Sequence, residues 1–130
     1  MRTSDDSVGS GGYPTVSNEP WLDMDTAIGR MLGNRPLYLS MLDLFRTQLV
    51  QDMELMQQAL GDGNLKEALR LIHSTKGAAR ILGAERLGTR TAQAYDAVVY
   101  GEAQAIASEV ADLLGCAAET LTYIDEVLGD

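Results

Sequence analysis

The chain's most concentrated chemical signal lies in residues 73–83, which begin with the only histidine of the protein, His73. On a helix that turns about 100° per residue, small and apolar residues recur here at spacings of three and four and form one core-facing stripe. The members of this stripe are Leu65, Ala68, Ile72, Thr75, Ala79 and Leu82. His73 lies about 130° from the centre of the stripe. The imidazole is therefore predicted to stand on the outer face of an amphipathic helix.

Basic residues surround the histidine on this helical wheel. Its neighbours on the same face are Lys66, Leu69, Arg70, Lys76, Gly77 and Arg80. Residues 64–92 contain six basic and two acidic side chains, a local charge of +4, whereas the whole chain carries −9. A positive region on an acidic protein is suited to hold an anionic group beside the histidine.

Gly77 is a further unusual feature of this face. A glycine inside a helix costs about 1 kcal/mol relative to alanine. One turn after His73, Gly77 leaves bare backbone where a bulky group can approach the imidazole. These residues predict a site to which a partner brings an anionic group, while an incidental surface histidine is the simpler alternative.

A family resemblance supports the first interpretation. From His73 to Leu87 the chain reads His-Ser-Thr-Lys-Gly-Ala-Ala-Arg-Ile-Leu-Gly-Ala-Glu-Arg-Leu. This segment resembles the signature of histidine-containing phosphotransfer (HPt) domains of two-component phosphorelays, His-Thr-Leu-Lys-Gly-Ser-Ala-Ala-Asn-Ile-Gly-Ala. The resemblance extends over about residues 21–128. It departs from the family pattern at Arg80, where a small residue is common, and at Ile81, where asparagine often occurs.

The resemblance implies a covalent phosphoryl carrier rather than an enzyme. His73 would accept a phosphoryl group from the phospho-aspartate of one receiver domain and pass it to the aspartate of another, and a hybrid sensor histidine kinase is a further expected partner. Lys76 and Arg80 would stabilise the oxygens of the transferring group, and Gly77 and Leu69 would lie in the partner's docking surface. No cofactor and no metal are expected on this chain, because receiver domains bring their own acidic pocket and Mg²⁺.

Two other classes of function stay open. One is the phosphoacceptor domain of a chemotaxis-type histidine kinase, which takes phosphate directly from an ATP-bound catalytic domain. The other is a non-catalytic helical docking module in which the histidine is incidental. The sequence contains neither a Walker loop nor a Gly-x-Gly-x-x-Gly motif, so no ATP-binding site is predicted.

Composition and charge restrict the class of protein further. A chain of 130 residues is predicted to form one domain with a proper core. The net charge of −9 argues against binding to nucleic acid or to an anionic membrane surface, and no segment approaches the ~18 apolar residues of a membrane span. The single cysteine, Cys116, excludes an internal disulfide and suits a cytoplasmic location. We expect a monomer.

Residues 1–20 have the composition of a flexible tail or linker, rich in glycine and serine and containing two prolines, so the helical domain is predicted to span residues 21–130. A short helix capped by Asp23 or Asp25 is expected first, followed by a helix that begins at the cap Asn34. Asn64 and Glu67 resemble a capping box at the start of the next helix, which Gly83 is expected to end or bend. Two more are predicted over about 85–100 and 102–128. Core-facing stripes at spacings of three and four are predicted on the helix that Asn34 begins and on the helix over about 85–100. Their members are Tyr38, Leu42, Phe45, Leu49, Met53, Met56 and Leu60 on the first, and Leu87, Thr91, Ala94 and Val98 on the second. Because no segment alternates with period two, the expected fold is all-α: an antiparallel up-down four-helix bundle with a short additional N-terminal helix.

Overall fold

A computed structural model describes residues 18–129, and within this range five α-helices and no β-strand are found. The helices are α1 (Met24–Arg30), α2 (Arg35–Gly61), α3 (Leu65–Leu82), α4 (Glu85–Tyr100) and α5 (Ala103–Leu128). The predicted all-α class is confirmed, and the predicted helix positions agree with the observed ones to within a few residues. The tail prediction falls largely on residues 1–17, which lie outside the described part of the chain.

The four long helices form a bundle in which neighbours along the chain are neighbours in space. Helix α3 packs between α2 and α4, α5 packs on α4, and a contact between α2 and α5 closes the bundle. The short helix α1 contacts α2 and α3. This is the antiparallel up-down arrangement that short connections favour. Flanked on both sides, α3 has only its outer face available to a partner.

Side-chain caps begin the first three helices. Asp23, Asn34 and Asn64 each accept a hydrogen bond from the backbone amide three residues further on, at 3.3, 3.1 and 3.2 Å. The first cap is therefore Asp23 rather than Asp25. Only one of the two hydrogen bonds of the capping box predicted at Asn64 forms, because the Glu67 carboxylate pairs with Arg70 and does not reach back to the backbone amide of the cap. The pairing with Arg70 holds the pKa of the Glu67 carboxyl below its ordinary value.

The predicted apolar stripes form the core with one clear exception. The inward positions of α4 are all buried: Leu87, Thr91, Ala94 and Val98. Those of α2 are buried as far as Met56, and Leu60 is partly buried. Leu65, expected to open the core stripe of α3, is instead 44% exposed. As the first residue of α3, it lies at the end of the bundle, where the neighbouring helices cover it less.

Hydrogen bonds from other segments hold the C-terminal end of α3. The hydroxyl of Tyr38, on α2, donates to the carbonyl oxygen of Leu82 at 2.7 Å. Burial raises the pKa of Tyr38 to about 12, so the phenol remains a donor throughout the neutral range. The Arg30 guanidinium, at the end of α1, donates to the carbonyl oxygen of Arg80 at 2.9 Å. The first bond satisfies a carbonyl group that the helix end would otherwise leave unpaired, and the second adds to a longer bond of 3.4 Å from the Gly83 amide to the same carbonyl.

Gly83 ends α3, as predicted, and allows the segment before α1 to approach it closely. Its φ of +79° is left-handed, a conformation in which glycine carries no steric penalty. The amide of Asp23 donates to the carbonyl oxygen of Gly83 at 2.8 Å. A Cβ atom at residue 83 would lie 2.5 Å from the Asp23 carbonyl oxygen, so no larger residue fits without moving the backbone.

The segment before α1 is held against α4 and α5. The backbone carbonyl of Glu19 accepts a hydrogen bond from Arg86, and its carboxylate accepts one from Thr89 at 2.9 Å. Trp21 stacks on Tyr123 of α5 with ring centroids 5.3 Å apart, and the Arg86 guanidinium lies 4.4 Å from the indole centroid. These contacts fasten residues 19–21 across α4 and α5.

Gly83→Ala is expected to destabilise the protein considerably more than Gly63→Ala. Both glycines have positive φ, +79° and +76°, but a Cβ at Gly63 would meet nothing within 4 Å. The left-handed conformation alone costs an alanine roughly 1–2 kcal/mol, and forcing atoms into a packed contact adds about 1–3 kcal/mol at Gly83. Urea denaturation of the two variants measures the difference. Equal losses would show that the contact with Asp23 relaxes freely.

Candidate functional site

His73 lies on the outer face of α3, near the middle of the helix. Its neighbour Ile72 is fully buried and Thr75 almost so, whereas the His73 side chain is exposed. This agrees with the orientation predicted from the helical period. Within residues 18–129, no hydrogen bond to the imidazole is found. Both ring nitrogens are therefore accessible to a group arriving from solvent.

Helix geometry places two cations beside the imidazole. Lys76 lies about 60° round the helix from His73 and about 4.5 Å further along the axis. Arg80 lies about 20° round and about 10 Å further along. Helical side chains lean toward the N-terminus, so both cations lean back toward His73. The stem of Arg80 passes over Gly88 of α4, where an added Cβ would be 3.7 Å from the arginine Cγ.

Fewer basic side chains are available to bind an anion than the sequence alone indicates. Three of the six basic side chains in residues 64–92 contact other protein groups: Arg70, Arg86 and Arg90. Arg70, for example, donates two hydrogen bonds of 2.7 Å to Glu67. In the described part of the chain, by contrast, no carboxylate forms an ion pair with Lys66, Lys76 or Arg80. These three cations are the ones left to hold an anionic ligand.

Gly77 has no role in the packing of residues 18–129. It is exposed, its backbone is ordinary right-handed helix, and an added Cβ would meet nothing within 4 Å. The fold therefore does not require a glycine here, unlike at Gly83. Leu69 is the apolar member of the predicted contact residues, and it is partly buried and packs against the core. Only part of its side chain is available to a partner.

An apolar groove between α2 and α3 adjoins the histidine face. Its volume is about 410 Å³, and it is lined by Met41, Leu44, Phe45, Gln48, Ala78, Ile81 and Leu82. Leu44 is 74% exposed and Ile81 is 51% exposed. Ile81 lies one turn after Gly77, so the groove continues the surface on which the glycine lies. Leu44 was not predicted from the sequence, although a leucine outside the buried stripe of α2 is a signal for an exposed apolar site.

Tyr95, on α4, is a second residue that the sequence analysis missed. Its ring lies against the imidazole of His73, with centroids 6.2 Å apart and planes inclined by 57°. One signal for this contact was present in the sequence. In an antiparallel hairpin that turns at Gly83, residues at similar distances from the turn face each other, and His73 and Tyr95 lie ten residues before it and twelve after it.

Within residues 18–129, no group of three or more His, Cys, Asp or Glu side chains that could hold a metal ion is found. None of the helices in this range is long and apolar enough to cross a membrane. Cys116 is buried, and burial raises the pKa of its thiol, which reduces the population of the reactive thiolate.

The fold and the site together define a helical bundle that presents a histidine on its surface instead of enclosing it in a cavity. The Hpt domain model matches residues 40–128 of this sequence. The chain therefore belongs to the Hpt domain family, as the resemblance at residues 73–87 predicted. Domains of this family are phosphocarrier modules of histidine phosphorelays and interact with receiver domains and kinases. No individual curated protein and no solved structure gives a significant match.

Gly77→Gln is expected to separate stability from function. Because the position is helical and open, the variant should be as stable as the wild type or up to about 1 kcal/mol more stable. A long side chain one turn from His73 should obstruct a docking protein, so transfer from a phosphorylated receiver domain should fall steeply. Labelling by a small phosphodonor such as phosphoramidate should change much less.

The matched control for this variant is Gly115→Gln on α5. Gly115 is likewise exposed within a helix, and an added Cβ would meet nothing within 4 Å, but α5 does not contact α3. Thermal melting and receiver-dependent labelling are measured for both variants. Normal transfer by a folded Gly77→Gln protein would remove the argument that this glycine admits a partner.

Proposed function

We propose that this chain carries a phosphoryl group on His73, accepting it from the phospho-aspartate of one receiver domain and passing it to the aspartate of another. The observation that carries the proposal is the placement of His73 on α3. In a domain of the Hpt family, its one histidine is exposed on the same face as two cations that form no ion pair within residues 18–129. A phosphorelay needs this accessibility, because donor and acceptor must reach the imidazole in turn.

The proposed reaction is a displacement at phosphorus. The lone pair of an unprotonated imidazole nitrogen forms the new N–P bond while the bond between phosphorus and the aspartate oxygen breaks. The aspartate leaves as a carboxylate with the bonding electron pair, and the other ring nitrogen of His73 retains its hydrogen. Passing the group to a second receiver reverses these changes. Since the attacking nitrogen carries a lone pair and no hydrogen, the step needs no general base from this chain.

The cations of Lys76 and Arg80 stabilise the phosphoryl group during its transfer. Negative charge spreads over the three oxygens of the phosphoryl group, and positioned cations lower the energy of that arrangement. Lys76, three residues from His73, is the nearer of the two, and Arg80 lies one turn further along the same face. Neither is engaged with a carboxylate among residues 18–129, so binding the phosphoryl group breaks no ion pair within that range.

The receiver domain is proposed to dock on the α2–α3 side of the histidine. Gly77 permits close approach of the backbone, and the groove beside it exposes Leu44 and Ile81 for apolar contact. A receiver's acidic pocket complements the positive charge of Lys76 and Arg80. All of these residues come from one chain, so the proposed active form is a monomer.

Magnesium is proposed to act only on the partner. The acidic pocket of the receiver would hold Mg²⁺, while the contribution of this chain is the nucleophile and its cations. A chelator such as EDTA should then stop transfer in both directions without hydrolysing phosphohistidine already formed. Loss of label from isolated phosphorylated protein on adding EDTA would contradict this division of roles.

His73→Gln is expected to abolish phosphorylation with little change in stability. The side chain is exposed, so the free energy of unfolding should stay within about 0.5 kcal/mol of the wild type. The assay follows radiolabel from a phosphorylated receiver domain into this protein, where it should be acid-labile and alkali-stable. A parallel reaction with ATP and a histidine-kinase catalytic domain distinguishes the chemotaxis-type alternative. Label retained by the variant would exclude His73 as the acceptor.

Lys76→Ala is expected to slow transfer without stopping it. Removing one preorganised electrostatic contact typically costs about 10²–10³ in rate, and the low end applies because the site is open to water and Arg80 remains. Lys66→Ala is the matched control, since Lys66 is exposed on α3 and also has no ion pair in the described range but lies two turns before His73. Single-turnover kinetics should show a much smaller effect for Lys66→Ala. Equal rates for the two variants would show that the position of Lys76 is incidental.

A further inference from the structure

The imidazole of His73 is not held by its own helix. It is exposed, and no group in residues 18–129 forms a hydrogen bond with it. An exposed side chain of this kind moves among several staggered rotamers. For in-line transfer, however, the attacking nitrogen must face the phosphorus atom of a docked partner. Something outside α3 has to limit the orientation of the ring.

Tyr95 is the residue placed to do so. Its ring centroid lies 6.2 Å from that of the imidazole, at an inclination of 57°, within the range of favourable tilted aromatic pairs. Tyr95 is itself partly buried and packs against the hydrophobic core. Its ring is therefore fixed by the bundle and forms a rigid wall on the α4 side of His73, opposite the α2–α3 groove.

We propose that Tyr95 is a positioning residue for phosphoryl transfer: its ring restricts the imidazole of His73 to orientations in which a nitrogen faces the docked receiver domain. This role rests on the proposed function of His73. The contact joins the two rings, and no hydrogen bond connects the Tyr95 hydroxyl to His73. The aromatic ring, and not the hydroxyl, is thus the part that acts.

The expected effect on rate is modest, because only one side chain is being ordered. Immobilising a side chain on association costs an amount that corresponds to about threefold to tenfold in rate. Tyr95→Leu, which keeps an apolar side chain against the core, should lower the maximal rate of transfer from a phosphorylated receiver by that factor. Tyr95→Phe should transfer at the wild-type rate. Tyr100→Leu, on the same helix but 85% exposed, should have no effect.

A spectroscopic measurement tests the positioning directly and does not depend on transfer. Because His73 is the only histidine, its imidazole signals in NMR are unambiguous. ¹³C relaxation of the ring carbons should show an ordered imidazole in the wild type and in Tyr95→Phe, and a more mobile one in Tyr95→Leu. If Tyr95→Leu does not fold, Tyr95→Met provides a second variant without the ring. An imidazole equally ordered with and without the Tyr95 ring overturns the proposal.

The kinetics separate positioning from docking. The maximal rate should fall in Tyr95→Leu while the Kd for the receiver stays unchanged, whereas Gly77→Gln should raise the Kd. A weakened Kd in Tyr95→Leu would make Tyr95 a docking contact, and a Tyr95→Phe variant as slow as Tyr95→Leu would assign the effect to the hydroxyl. Either result overturns the role proposed here. A wild-type protein that receives no label overturns the phosphotransfer itself, whereas an active wild type with an equally fast Tyr95→Leu overturns only the positioning.

Discussion

The site depends first on how the C-terminal end of α3 is held. Tyr38, Arg30 and the backbone of Asp23 donate hydrogen bonds to carbonyl groups there, those of residues 82, 80 and 83 respectively. The donors come from α2, α1 and the segment before α1. Together with the buried stripe of α3, these bonds fix both the axial position and the rotation of the helix. Since the His73 side chain forms no hydrogen bond among the described residues, the direction in which it leaves the bundle follows from that rotation. A turn of α3 by one residue would carry the imidazole about 100° round toward a neighbouring helix.

With α3 fixed, the surface around His73 divides into two unlike sides. Toward α2 lies the apolar groove with Leu44 and Ile81, and toward α4 lies the ring of Tyr95. The bare backbone of Gly77 is next to the histidine, and the cations lean toward it from the following turns. This open surface differs from an enzyme's enclosed site. It suits a carrier whose partner supplies the rest of the chemistry, because nothing needs to open before the partner docks.

Local features of the sequence were sufficient to predict most of the fold. The helical period identifies which face of each segment is buried, and the caps Asn34 and Asn64 mark helix starts because each bond closes within three residues. The left-handed glycine at residue 83 marks a helix end for the same local reason. The outward direction of His73 relative to the buried face of α3 is also local, since it is the angle between His73 and the apolar stripe of the same helix. The predicted capping box failed in part because Arg70, one turn further on, offers Glu67 a charged partner.

The sequence by itself thus determined the helices, the buried faces and the outward direction of His73, all of which follow from interactions between residues close in the chain. Only the tertiary structure decided what stands around the histidine. The placement of Tyr95 and Leu44 depends on how α4 and α2 pack against α3, and a small shift in packing would bring other residues there. Tertiary contacts likewise decided which cations remain available, because the partners of Arg86 and Arg90 lie on other segments. Helical periodicity specifies directions within one helix, whereas the distance between two helices is set by the side chains packed between them.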